Sequence, residues 1–132
     1  MRAHPPVDRQ QAGASAEDAA LAHLQAEGLV LLARNARYPF GEIDLVMRDG
    51  ATLVFVEVRF RRPSRFGDGA LSVDAPKRRK IARASQAWLS SHKQYCNASC
   101  RFDVVAAMPV AGVPGKIECE WIRAAFTLDD LW

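Results

Sequence analysis

The chain has 132 residues, of which 49% are hydrophobic and 25% are charged, and its formal net charge is +3. This length suffices for one domain with a hydrophobic core, and the composition is ordinary for a soluble globular protein. No apolar run approaches the roughly 20 residues that a membrane-spanning helix needs, so the sequence excludes a transmembrane protein.

The N-terminal segment and the cysteines bear on the location of the protein. Residues 1–13 contain no apolar segment of the signal-peptide type, and they predict a disordered tail before a single domain over residues 14–132. The three cysteines, Cys96, Cys100 and Cys119, are odd in number, which excludes a complete intramolecular disulfide framework. Reduced thiols fit the cytosol, so we expect a cytoplasmic protein that does not contact a membrane.

Ser15 predicts the start of a first helix. Serine is a favoured N-cap, Asp18 follows three residues later as in a capping box, and Gly28 predicts the end of the helix. Glu17 precedes Leu21 by four residues, so both side chains belong to the same apolar stripe. Two interpretations remain open for Glu17: an acid directed at the sheet, or an acid that only stabilises the helix N-terminus through the dipole.

A first strand over residues 29–37 leads into a predicted hairpin. Residues 41–48 alternate apolar and polar side chains, which is typical of a strand with one buried face. The following Asp49-Gly50 pair favours a two-residue turn of type I′. The return strand, residues 51–60, is apolar on both faces and is therefore expected to be buried on both sides.

The register of this hairpin decides whether two acids meet. With Asp49-Gly50 as a two-residue loop, Asp44 lies opposite Phe55 and diagonal to Glu57. The two carboxylates then converge at the edge of a hydrophobic core, where unpaired acids require a cation. A three-residue loop would instead place Asp44 on the opposite face of the sheet.

A second helix is predicted to begin at Asp74 or Ser72. Apolar positions from Ile81 to Leu89 recur with helical spacing, so one face of this helix packs on the sheet. Lys77 precedes Ile81 by four residues and lies on the same stripe. It is interpreted either as a side chain that reaches the carboxylates or as a snorkelling stem at the helix start.

Two further strands, over residues 101–108 and 116–123, and a short helical turn within residues 127–132 complete the chain. The predicted element order is α-β-β-β-α-β-β. A helix on each side of a central run of strands indicates an α/β fold, in which one mixed sheet of about five strands is flanked by helices. Asp103 lies on an otherwise apolar strand, and we interpret it as a hydrogen-bonded structural acid.

Basic residues are concentrated in residues 59–83. This segment contains nine basic residues and two acidic ones, which gives it a net charge of +7. Such a concentration indicates a polyanionic partner, with DNA as the expected one; a solvated surface and an acidic protein partner are the alternatives. The residues predicted to bind nucleic acid are Arg61, Arg62, Arg65, Lys77, Arg78, Arg79, Lys80 and Arg83.

Asp44 and the later Glu57-x-Arg59 approximate the D…E-x-K pattern of metal-dependent nucleases. Two carboxylates can hold Mg²⁺ through hard oxygen ligands, and the metal polarises a phosphate and lowers the pKa of a bound water. A cation two residues later lies on the same strand face, where it can stabilise charge in the transition state. The pattern alone is loose, and a hairpin with surface-facing acids is the alternative.

Several short motifs occur in order between the first helix and Phe126. They are Asn35-x-Arg37, GEIDL at 41–45, VFVEV at 54–58, Phe66-Gly67, Lys77, and RFDV at 101–104. In this order they resemble the YraN family of bacterial resolvase-like proteins. That family is similar to archaeal Holliday-junction resolvases, and the resemblance implies a restriction-endonuclease-like fold and an endonuclease that acts on DNA, including branched DNA.

The resemblance also implies a role for each acid. Asp44 and Glu57 would bind Mg²⁺ or Mn²⁺, and Glu17 would be an additional catalytic acid. The family usually has Lys at the position of Arg59, which keeps the charge but cannot act as a general base because its pKa lies above about 12. The alternative is therefore a nucleic-acid-binding module with impaired catalysis, unless Lys77 supplies the missing group. A homodimer would fit symmetric cleavage, and the sequence leaves the oligomeric state open.

Overall fold

A computed structural model of the protein describes residues 9–61 and 73–127. The predicted class and element order are confirmed: the described residues form a mixed five-stranded sheet with two α-helices. The elements are α1 (Arg9–Ala26), β1 (Val30–Tyr38), β2 (Gly41–Asp49), β3 (Thr52–Phe60), α2 (Ala75–Ser91), a 3₁₀ turn (Lys93–Tyr95), β4 (Cys100–Pro109) and β5 (Ile117–Phe126).

The strands lie in the sheet in chain order, β1-β2-β3-β4-β5. Neighbours are antiparallel except for β3 and β4, which are parallel. A parallel pair needs a crossover connection, and α2 is the helix of that connection. The predicted strands agree with the observed ones to within a few residues at each end.

Two apolar clusters cover the opposite faces of the sheet, because successive side chains of a strand point to opposite sides. On one face Phe55 packs with Trp88 of α2, and on the other face Val56 packs with Leu24 of α1. The central strand β3 is therefore buried on both sides, as its continuous apolar sequence predicts. It supplies the fixed platform on which the acidic residues lie.

The predicted start of the first helix is wrong, whereas the predicted start of the second helix is correct. α1 begins at Arg9, so Ser15 lies inside the helix and does not cap it. Residues 9–14 consist mostly of strong helix formers, which explains the longer helix. Asp74 caps α2, and its side chain accepts a hydrogen bond of 2.9 Å from the backbone N–H of Lys77.

The turn of the β2–β3 hairpin differs from the predicted one. Asp49 pairs with Thr52, so the two-residue loop is Gly50-Ala51 rather than Asp49-Gly50. Gly50 has a φ of +59°, whereas Ala51 does not have a positive φ. A glycine of positive φ at only the first central position is typical of a type II′ turn, not of the type I′ turn that we predicted.

The predicted register of the hairpin is consequently wrong by two positions. Phe55 lies opposite Val46, whereas the predicted register placed it opposite Asp44. Since side chains alternate with a period of two residues, an even displacement leaves the side chains of β3 on their predicted faces relative to Asp44. The expected convergence of acids on one side of the hairpin therefore does not depend on this error. In β2 the expected alternation does not continue through Asp44, because Ile43 packs in one cluster and Leu45 and Met47 pack in the other.

Parts of the sequence analysis lie outside the described residues: residues 1–8 of the N-terminal tail, the loop over 62–72, and the helical turn expected near the C-terminus, at 128–132. The three cysteines are free thiols. None of the helices within the described ranges is long and apolar enough to cross a membrane.

Asp103 is fully buried and joins β4 to β5. Its carboxylate accepts hydrogen bonds of 2.9 Å from Trp121 Nε1 and from the backbone N–H of Ala124. Arg101 Nε donates to it at 3.1 Å, and the same guanidinium lies 2.9 Å from Asp49 at the β2–β3 turn. The predicted structural role of Asp103 is confirmed.

We expect Asp103→Asn to lower the free energy of unfolding by about 3 kcal/mol. The amide N–H₂ group of asparagine is a donor, and it would face the donors of Trp121, Ala124 or Arg101. The substitution also removes the negative charge that balances Arg101. Urea denaturation measures the loss, and Glu118→Gln is the control because Glu118 is exposed on β5. The control is expected to stay within about 0.5 kcal/mol of wild type. An equally small effect of Asp103→Asn would contradict the structural role.

Candidate functional site

The candidate site lies where β2 and β3 part. The paired register of the two strands ends at Leu45 and Val56. Just beyond this pair, Asp44 Oδ2 accepts a hydrogen bond of 2.8 Å from the backbone N–H of Val58. The side chain of Asp44 thus takes the place of a backbone acceptor and is held beside Glu57, the residue between Val56 and Val58.

Negative charge accumulates at this opening. Burial, followed by the charge of Glu57, raises the pKa of Asp44 from 3.8 to about 8, and the charge of Glu17 acts in the same direction. The hydrogen bond from Val58 opposes the rise. Both burial and a neighbouring like charge disfavour the ionised carboxylate, so Asp44 holds a proton at neutral pH when no cation is bound.

Glu17 approaches the same acids from α1. Its side chain is 18% exposed, and its Oε1 atom is buried without a hydrogen-bond partner. The nearest cation is Arg34, whose Nε lies 3.6 Å from Oε1, beyond hydrogen-bonding distance. Arg34 instead donates a short hydrogen bond to Asp18. Of the two interpretations of Glu17, the structure therefore supports an acid directed toward the sheet.

Lys77 reaches the carboxylates from the first turn of α2. Its Nζ lies 3.3 Å from Oε1 of Glu57, whose side chain is only 10% exposed. The ammonium compensates part of the buried negative charge, while about half of the Lys77 side chain stays in contact with solvent. Of the two interpretations of Lys77, the structure supports the one in which it reaches the acids.

Arg59 and Arg61 follow Glu57 at intervals of two residues on or just after β3 and are half-buried. Both have interaction partners within the chain. The backbone N–H of Arg61 donates a hydrogen bond of 2.8 Å to the carbonyl of Ala107, which continues the pairing of β3 with β4. Strand alternation places the side chains of Arg59 and Glu57 on the same face, as the sequence pattern requires.

The basic residues of α2 do not all have the same surroundings. Arg78 turns toward the protein: its Nε donates to the carbonyl of Val73 at 2.5 Å, and its guanidinium lies 5.5 Å from the ring centroid of Phe126. Arg79, by contrast, is exposed. Arg62 and Arg65 lie outside the residues that the structure describes.

An open groove of about 640 Å³ separates α2 from the turn between β1 and β2. Sequence reasoning missed this turn, which it treated only as a break between strands. The rings of Tyr38 and Phe40 are stacked there, with centroids 5.7 Å apart and planes inclined by 8°. The two aromatic residues that flank Pro39 in the sequence were the signal that could have indicated an aromatic surface at this turn. The residues lining the groove are Arg37, Tyr38, Pro39, Phe40, Gly41, Glu42, Lys77, Lys80, Ile81 and Arg83.

The acids fit a divalent cation that shares its coordination with a substrate. Within residues 9–61 and 73–127, no three His, Cys, Asp or Glu side chains form a group that could hold a metal ion. Mg²⁺ does not need three such side chains, because it commonly takes one or two carboxylates and completes its shell with waters and phosphate oxygens. Because burial and the charge of Glu57 raise the pKa of Asp44, a cation bound beside Asp44 would stabilise its ionised form.

Comparison with known proteins identifies relatives across nearly the whole chain. The profile of the family described as "Uncharacterised protein family UPF0102" matches residues 16–107. A UPF0102 protein of Xanthomonas campestris pv. campestris (strain B100) is 55% identical over 125 residues, which cover 95% of this chain and 98% of the relative. A UPF0102 protein of Shewanella amazonensis is 49% identical, with coverage of 86% and 97%. One of Xylella fastidiosa is 46% identical, with coverage of 94% and 98%.

In metal-free solution, the stability of the wild type is expected to fall as the pH rises from about 4 to about 8. The folded protein keeps a proton on Asp44 over this range, because the pKa of Asp44 is raised to about 8. The unfolded chain has lost that proton above about pH 4. Asp44→Asn removes the titrating group, so its free energy of unfolding is expected to exceed that of wild type by about 2 kcal/mol at pH 9 and not at pH 4.

Urea denaturation in EDTA at both pH values measures this difference. Glu42→Gln is the control, because Glu42 also lies on β2 but is 43% exposed and pairs with Arg37 at the surface. The control is expected to follow the wild-type pH profile. Parallel profiles of the wild type and Asp44→Asn would show that Asp44 does not hold a proton in the folded state.

Proposed function

Because the chain belongs to the UPF0102 family, and its resemblance to the YraN family is thereby confirmed, we propose that it is a metal-dependent endonuclease that hydrolyses phosphodiester bonds of DNA, including branched DNA. The observation that carries this proposal is the juxtaposition of Asp44 and Glu57 beside Lys77. The family description names no activity, so the proposal depends on the chemistry of this cluster.

Each acid has a distinct part in the proposed site. Asp44 and Glu57 would hold Mg²⁺ or Mn²⁺, which polarises the scissile phosphate and lowers the pKa of a bound water. The Asp44 carboxylate is already oriented by the N–H of Val58, and Glu57 is positioned by Lys77. The charge of Glu17 acts on Asp44 from α1, and we assign Glu17 as the additional acid that assists at this site.

Two residues can take the role of the lysine in the D…E-x-K pattern. Arg59 follows Glu57 at the right interval but stays protonated, so it serves only as a fixed positive charge. Lys77 comes from another element and brings a flexible ammonium to 3.3 Å from Glu57. Because it is half exposed, Lys77 can transfer its contact from Glu57 to a substrate phosphate. This arrangement supports catalysis despite the substitution, whereas Arg59 alone would favour a binding module.

The exposed basic residues support a nucleic-acid substrate. Lys77, Lys80 and Arg83 follow one another at intervals of three residues, so they lie along one edge of α2. All three line the groove beside the acids. A phosphate chain held along this edge would bring one phosphodiester to the carboxylates. Phosphate contacts of this kind weaken with added salt because bound counterions are released.

Wild-type protein is expected to cut labelled branched DNA when Mg²⁺ or Mn²⁺ is added and not in EDTA. Asp44→Asn and Glu57→Gln are each expected to reduce the cleavage rate at least about 100-fold, because each removes a group that acts on the reacting phosphate. Both variants should still bind the DNA in EDTA. Arg59→Lys is expected to cut at least as fast as wild type. Denaturing gels measure cleavage, and fluorescence anisotropy measures binding.

The control for this series is Glu118→Gln, which removes an exposed acid of β5 and is expected to leave cleavage unchanged. If neither the wild type nor Arg59→Lys cuts DNA that both bind, the chain is a binding module without catalysis. If no nucleic acid is bound at low salt, both functions are wrong and an acidic protein partner becomes the remaining candidate.

A further inference from the structure

The turn between β1 and β2 forms one rigid wall of the groove. Tyr38 pairs with Gly41, which leaves Pro39-Phe40 as a two-residue loop. A Cβ atom at Gly41 would lie only 2.5 Å from the backbone oxygen of Lys80 in α2. The turn and the helix therefore approach each other through their backbones, and only glycine fits at this contact. The distance between the two walls is fixed by this packing.

An aromatic surface faces this groove. Phe40 stacks on Tyr38 with nearly parallel rings, yet 40% of its own surface remains exposed. Phe40 lines the groove and also a smaller adjoining one of about 340 Å³ farther along α2. An exposed ring that is supported from behind by a second ring is suited to stack with a nucleobase. Such a stack contributes about 1–3 kcal/mol per base and accepts any base.

Positive charge faces the aromatic surface across the groove. Lys80 and Arg83 are exposed on the wall formed by α2. On the opposite wall, Arg37 pairs with Glu42 at 3.4 Å, so these two side chains largely neutralise each other. An aromatic surface next to a line of cations is typical of sites that bind single-stranded nucleic acid, in which bases stack and phosphates pair with Lys or Arg.

We propose that this groove binds an unpaired nucleotide next to the scissile phosphate, with its base stacked on Phe40 and its phosphates paired with Lys80 and Arg83. Lys77 connects the two regions, because it lines the groove and lies 3.3 Å from Glu57. The bases of an intact duplex are already stacked on one another and do not present a face to Phe40. The groove therefore selects DNA with an unpaired segment, such as a flap or the centre of a junction.

The position of this nucleotide relative to the cut depends on the proposed nuclease activity, but its binding does not. Binding is therefore measured in EDTA, with a DNA flap that carries 2-aminopurine at an unpaired position and with a fully paired duplex of the same length. The fluorescence of 2-aminopurine falls when the base stacks. Wild type is expected to bind the flap more tightly than the duplex and to quench the probe.

Substitutions of Phe40 separate stacking from apolar contact. Phe40→Leu keeps an apolar side chain and is expected to weaken flap binding about 5- to 100-fold, abolish the quenching and change duplex binding less than about twofold. Phe40→Trp keeps an aromatic face and is expected to retain both affinity and quenching. The residue is partly exposed, so both variants should fold, and thermal unfolding checks this.

Charge is tested in the same assay. Lys80→Ala and Arg83→Ala are each expected to weaken flap binding and to reduce the slope of log affinity against log salt by about one. The control, Lys116→Ala, removes an exposed cation next to β5 and is expected to change neither. Equal effects of Lys80→Ala and Lys116→Ala would overturn the assignment of phosphates to this groove.

Two further outcomes would overturn the proposal. One is flap binding no tighter than duplex binding, and the other is an equal loss of both affinities in Phe40→Leu. The nuclease proposal fails separately. A protein that shows the expected binding in EDTA but cuts nothing with Mg²⁺ has the groove without the catalysis. If the wild type cuts DNA with Mg²⁺ and Phe40→Leu binds flap DNA as tightly as the wild type does, the nuclease proposal stands and the groove proposal fails.

Discussion

The site depends on one constraint: the carboxylates of Asp44 and Glu57 lie side by side, and Lys77 compensates only part of their negative charge. Asp44 and Glu57 are brought together where β2 and β3 part, and the N–H of Val58 holds the first of them in place. Burial, followed by the charge of Glu57, raises the pKa of Asp44 to about 8, so ionising both acids costs stability. In the proposed function a divalent cation would remove this cost, so the geometry that destabilises the metal-free protein would add to the affinity for the metal.

The secondary structure and the burial of β3 could be predicted because they follow from local patterns. Alternation in β2 and the unbroken apolar sequence of β3 depend only on the period of a strand. The register could not be predicted as reliably, since it depends on which residue adopts positive φ. Of the residues at this turn, Gly50 has a positive φ and Asp49 and Ala51 do not, so the two-residue loop is Gly50-Ala51. The predicted meeting of Asp44 and Glu57 survives because the displacement is even.

The remaining parts of the site depend on how distant elements pack, which no short pattern reports. Spacing placed Glu17 and Lys77 on the inward stripes of their helices but left open whether either reaches the acids. The structure places Lys77 3.3 Å from Glu57. Glu17 pairs with Arg34 and acts on Asp44 through its charge. The groove beside Phe40 exists because Gly41 lets the turn approach the backbone of Lys80. Because that contact joins the β1–β2 turn to α2, neither stretch of sequence indicates it by itself.

The most direct test of a cation-binding acid pair is calorimetric titration of Mn²⁺ into the metal-free protein at pH 7. Measurements in two buffers of different ionisation enthalpy give the number of protons released. The account predicts saturable uptake with release of about one proton per cation, because a bound metal would displace the proton held by Asp44. Asp44→Asn is expected to lose both the uptake and the proton release. Absence of uptake by the wild type, or uptake that Asp44→Asn leaves unchanged, would contradict the account.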